Sequence, residues 1–182
     1  MIHLVTLDPF VEPTVSQVRS RLYLAFGVGC EHAGQLKDPV PRKKGAFDAH
    51  ALLVAPTPFD SYTDDRVLYL TRAELLLPEG PLGTAPSGGF STPRSGCAVV
   101  TASGVPAPPE NTSEDDEAWL SYGDRLGRLA VQHMGFLWGL RRCLDHHCAM
   151  AIPWAEEVSD TDANLCEFCR GKSEVLLQQA RS

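Results

Sequence analysis

The chain has 182 residues, 43% of them hydrophobic and 21% charged. That is enough to bury one sizeable core and short for two, so a single domain over 1–182 is expected. Its formal net charge of -7 argues against direct nucleic-acid binding, which draws on clustered Lys and Arg to neutralise phosphates.

No window approaches the roughly 18 consecutive apolar residues of a membrane span. The opening "MIHLVTLDPF" lacks the basic, apolar and small-residue layout of a signal peptide. The expectation is a cytoplasmic protein that makes no membrane contact. That same opening alternates and is β-branched, which reads as a strand. Pro13 is then well placed in the first turn of a helix whose apolar positions, Val15, Val18, Leu22 and Phe26, stop at Gly27. The segment 30–50 is mixed and broken by Pro, with room for one short strand. "HALLVAPTPF" suits a helix or a buried strand, and periodicity does not decide between them. "RVLYLT" and "GCAVVTAS" are strands by their Val, Leu and Tyr content. The Gly- and Pro-rich "LPEGPLGTAPSGGFSTPRSG" between them, and "GVPAPPENTSED" after them, read as exposed connections.

From 113 to 143 the pattern is helical for longer than anywhere else. Ser113 and Asp116 offer a start resembling a capping box. One stripe passes through Trp119, Tyr122, Leu126, Ala130, His133, Leu137 and Leu140, and a second includes Leu120, Val131, Met134 and Trp138. A helix apolar on more than one side belongs between two layers. Strands and helices in this order predict an α+β (α/β-like) fold, a mixed twisted β-sheet with about three main helices.

Six cysteines stand at 30, 97, 143, 148, 166 and 169. The last four form C-x4-C followed by C-x2-C. Four thiolates can close a tetrahedral shell around zinc, so Cys143, Cys148, Cys166 and Cys169 are the candidate ligands of one structural Zn2+. Core cysteines and a redox C-x-x-C are the alternatives. Cys30 and Cys97 have no paired spacing and read as ordinary buried or half-buried residues.

The stretch "QHMGFLWGLRRC", with Cys148, Met150 and the later Cys166 and Cys169, resembles the archaemetzincins, whose motif is HExxHxxGxxHC, four residues, CxM and a later CxxC. The resemblance implies a metzincin-type fold with a zinc-stapled C-terminal segment and a methionine beneath the family's catalytic zinc. It places Gln132, Phe136 and Arg142 where the family has histidine ligands, and His133 where it has the glutamate that activates water. Phenylalanine has no lone pair to give and a guanidinium repels a divalent cation. On this reading the chain is not an enzyme, and no catalytic residue is assigned. His133 is expected as a hydrogen-bonded core residue and His146 and His147 as exposed turn residues. The alternative is a zinc-dependent hydrolase with a relocated or residual metal site using these histidines. The combination is also similar to bacterial transcription regulators within this family. That implies a transcriptional co-regulator working through protein contact, with the N-terminal domain of CarD as partner and RNA polymerase reached indirectly.

Overall fold

The computed structural model describes residues 1–56, 65–77, 88–92, 96–109, 111–114, 116–151 and 164–180. Most of the first Gly- and Pro-rich connection, and most of the span between Met150 and Cys166, lie outside them.

The opening strand is β1 (Ile2–Thr6), buried along its whole length. Burial on both faces is the mark of a central strand in a covered parallel sheet. It pairs in parallel with β2 (Cys30–Gln35) on one side and β4 (Arg66–Thr71) on the other, and β4 pairs in parallel with β7 (Cys97–Thr101). The antiparallel β6 (Gly89–Ser91) closes the order β2-β1-β4-β7-β6. It falls inside a segment expected to be irregular, because three residues between glycines and prolines carry no periodicity to read. Two further short strands, β3 (Phe47–Asp48) and β5 (Leu75–Leu76), pair in parallel by themselves.

The helix α1 (Glu12–Phe26) begins with Pro in its first turn and ends at Gly27, whose φ of 63° accommodates the left-handed cap. The undecided segment becomes α2 (Ala49–Val54). The Asp48 carboxylate accepts the Ala51 N–H at 3.0 Å, a helix-start signal that periodicity alone could not supply. The long helix α3 (Glu117–Leu137) is capped by Asp116, whose carboxylate accepts the Ala118 N–H at 2.9 Å. Ser113 lies before the helix, so the expected start moves by one turn. A last helix, α4, spans Glu167–Ala180. The mixed α/β architecture with three long helices is as expected.

Side chains of α1 and α3 fill one face of the sheet. Those of α2 fill the other. A tight α1–α3 contact fixes where α3 lies. At Gly123 an added Cβ would sit 2.9 Å from Gln17 Cβ and 3.0 Å from Thr14 Cα, and at Gly127 one would sit 2.8 Å from Arg21 Cγ. These two glycines serve close packing at the cost of intrinsic helix stability. Between them Asp124 accepts hydrogen bonds from Arg21 and from Gln17 Nε2, each at 2.6 Å. Gly123→Val should therefore lower stability by about 2 kcal/mol through overpacking, read as a shift in the urea midpoint. An unchanged midpoint would show that the two helices are free to separate.

Candidate metal centre

The end of α3 builds the site. Gly139, at φ 94°, turns the chain back. The Leu140 N–H donates to the Gly135 carbonyl at 2.8 Å and the Gly139 N–H to that of Phe136 at 3.0 Å. This is a Schellman cap, which requires the left-handed position that glycine occupies readily. The chain then runs past Cys143, which makes a parallel bridge with Ala151. The Cys148 N–H bonds the Asp145 carbonyl at 3.1 Å, and α4 brings in Cys166 and Cys169.

Four sulfurs meet there. Every pair of Sγ atoms among Cys143, Cys148, Cys166 and Cys169 lies within 4.8 Å. A tetrahedral zinc with Zn–S of about 2.3 Å needs sulfurs about 3.8 Å apart, and Cys143 and Cys166 are 3.8 Å apart. Backbone N–H groups of Met150 and Cys166 each reach the Cys148 sulfur at 3.4 Å, an arrangement that favours a thiolate. Without metal, burial pushes the Cys148 thiol up to about 11. Burial first, then the neighbouring Cys148 charge, push Cys169 higher still. A bound cation reverses that logic and deprotonates the thiols. The donor set, spacing and hydrogen bonding thus fit zinc, the cofactor expected from the spacing. Among the described residues this is the one group of three or more metal-ligating side chains.

Of the positions matched to the family's catalytic residues, Gln132, His133 and Phe136 lie on α3, and Arg142 lies beside the cysteines. Gln132 is buried and its Nε2 donates to the Ala151 carbonyl at 2.8 Å, tying α3 to the strand-like segment after Cys148. Sequence reasoning missed this role because the partner is a backbone atom. Phe136 is half-buried and meets the His133 ring edge-on at 6.0 Å. Arg142 is exposed beside Cys143. Met150 is fully buried under α3, where a Cβ at Gly135 would come within 2.5 Å of its sulfur. His146 is exposed, and His147, also exposed, donates its backbone N–H to Asp145.

His133 is buried and hydrogen-bonded, as expected, but through only one of its two ring nitrogens. Its Nδ1 stands 3.5 Å from Ser91 Oγ, and its Nε2 is buried without a hydrogen-bond partner. The ring lies so close to β6 that a Cβ on Gly89 would fall 2.6 Å from Nε2. The signal available in sequence was the pair Gly88-Gly89, which marks close backbone approach. Cys30 is half-buried and Cys97 buried, both apart from the metal centre.

Burial lowers the His133 pKa from 6.5 to about 4. The unfolded chain therefore takes up this proton before the folded one does. Stability from this group is complete above pH 6.5 and is lost as pH falls towards 4, by about 3 kcal/mol in all. His133→Gln should flatten the acid limb of a plot of stability against pH. A limb of unchanged slope would assign the acid sensitivity to other groups.

The comparisons bear on the fold. No family model and no curated protein matches the chain. Solved structures do. An archaemetzincin from Methanopyrus kandleri is 21% identical, with a TM-score of 0.69 over 97% of this chain and 94% of its own. A zinc-dependent peptidase from Methanocorpusculum labreanum is 20% identical, with a TM-score of 0.65 over 97% and 100%. An archaemetzincin from Archaeoglobus fulgidus, complexed with malonate, is 19% identical, with a TM-score of 0.63 over 94% and 98%. The chain has the archaemetzincin fold. The expectation that it is not an enzyme is corrected by these likenesses, since the fold is shared with a zinc-dependent peptidase. That expectation inferred inactivity from four side chains in one motif, and such a substitution set does not say what the other residues of the scaffold do. No helix among the described residues is long and apolar enough to cross a membrane.

Proposed function

We propose that this chain is a zinc-dependent hydrolase of the peptidase type, in which a four-cysteine zinc fastens α4 to the end of α3 and a second metal serves hydrolysis. The supporting observation is the fold, shared over 97% of the chain with a zinc-dependent peptidase. Gln132, Phe136 and Arg142 do not supply the nitrogen donors of a catalytic zinc, so the reading calls for a relocated site. His133 is its starting point. Kept neutral by burial, the imidazole is in the form that binds metal, and its Nε2 has no partner. Because that nitrogen faces Gly89, metal entry requires β6 to shift away from α3.

The reading is tested by loading the chain with excess zinc and measuring both zinc content and cleavage of fluorescence-quenched peptides. The expected result is more than one zinc per chain, with cleavage stopped by a chelator and by His133→Ala while the cysteine-bound zinc is retained. One zinc and no cleavage would contradict it.

A second reading concerns partners. Leu144 and Phe168 are 91% and 75% exposed, and both line one groove beside the cysteines. Paired large apolar side chains on a surface favour a protein contact. This supports a co-regulator role with a partner such as the N-terminal domain of CarD, and RNA polymerase beyond it, without direct nucleic-acid contact. In a pull-down with that domain, Phe168→Asp should weaken capture at least tenfold, corresponding to loss of an interface anchor worth about 1.4 kcal/mol or more. No capture by the unaltered chain at micromolar concentration would rule this partner out.

A further inference from the structure

The sulfur cluster is open on one side. A groove of about 590 Å³ reaches it, lined by Cys143, Cys166 and Cys169 together with Arg141, Arg142 and Lys172. Cys143 and Cys166 are half-buried, so the groove exposes part of the cluster, while Cys148 and Cys169 are buried behind them.

The charges in this groove run against those of the chain. The whole sequence has 16 Lys and Arg to 23 Asp and Glu. Among the described residues the groove has three cationic side chains against two carboxylates, Asp145 and Glu167. Asp145 is turned to the His147 backbone, whose N–H it accepts at 3.0 Å. Glu167 lies in the first turn of α4, where the positive end of the helix dipole accounts for a carboxylate. The cations are instead placed by the cysteines themselves. Arg141 and Arg142 immediately precede Cys143, and Lys172 follows Cys169 by three residues on α4, which places the two on one helix face.

Four thiolates and one Zn2+ sum to a formal charge of about -2, and such a centre needs counter-charge when it is partly desolvated. We propose that Arg141, Arg142 and Lys172 supply that counter-charge, acting as positioning residues that hold the zinc–tetrathiolate centre together and slow its loss of metal. Position 142 then takes on a different task from the one the family resemblance assigns it. Its guanidinium cannot ligate a metal, but beside Cys143 it stabilises the thiolates that do. The inference rests on the cysteine-bound zinc and is independent of hydrolysis.

The test uses the full chain loaded with zinc and measures first-order zinc release to excess TPEN, a neutral chelator whose approach is not steered by surface charge. At low ionic strength, each of Arg141→Gln, Arg142→Gln and Lys172→Gln should speed release about fivefold, the size expected for one charge facing two at roughly 8 Å in a solvent-rich setting. The triple variant should release more than about tenfold faster and lose most of its salt dependence, since screening acts on the interaction it has removed. Arg142→Lys should keep the original rate, because charge and not guanidinium geometry is at work. Lys44→Gln, outside the groove, should change nothing. Should the triple variant not fold, Lys172→Gln on the exposed face of α4 still decides the matter. Equal release from all variants, an equal effect of Lys44→Gln, failure of Arg142→Lys to rescue, or absence of zinc from the unaltered chain would each overturn the inference.

Discussion

The convergence of four sulfurs from two distant chain segments is the constraint on which the C-terminal third depends. Cys143 and Cys148 leave α3 through the Schellman cap at Gly139, and Cys166 and Cys169 return at the start of α4. Leu165, Cys169 and Leu177 join the core beneath α1 and α3, yet α4 buries few side chains compared with α3. A helix of 14 residues with so narrow an apolar face is marginal without tertiary support. Four thiols brought so close, two of them held protonated by burial, gain a common partner when a cation binds and deprotonates them. Metal binding and the docking of α4 are in this view one equilibrium.

The same helix end carries a second constraint. Gln132 reaches the Ala151 carbonyl, Met150 fills the space left by Gly135, and His133 presses on Gly89 of β6. Each is a contact of α3 with the segment after Cys148 or with β6, and each is made by a residue that differs from the family motif or by its methionine. Among the described residues of this region, the Nε2 of His133 is the one buried side-chain polar atom left without a hydrogen bond, a state that usually has a reason. The proposed relocation of hydrolysis takes that nitrogen as its starting point.

Much of this was legible in the sequence, and the exceptions have physical causes. The strands with dense Val and Leu, the helix between Pro13 and Gly27, and the grouping of the last four cysteines are written in composition and spacing. The helical nature of α2 was not, because six residues give too few turns to show a period and the deciding signal is one carboxylate, Asp48. The start of α3 was misplaced by one turn because both Ser113 and Asp116 have capping side chains and only the three-dimensional path chooses between them. β6 was invisible since its place is set by pairing with β7 and by His133 packing under Gly89. The expectation of inactivity failed for a related reason. Motif positions report which side chains are absent, whereas the fold, shared with a zinc-dependent peptidase, is a property of the whole chain.

The most direct test of the central claim is the zinc content of the purified chain and of Cys169→Ser, measured by mass spectrometry under native conditions together with thermal unfolding. The expected result is zinc held through the cysteine set in the unaltered chain, its loss in Cys169→Ser, and a fall in stability of about 3 kcal/mol or more, since structural zinc affinity is folding free energy. A Cys169→Ser chain that unfolds at the same temperature, or that keeps its full complement of zinc, would contradict it.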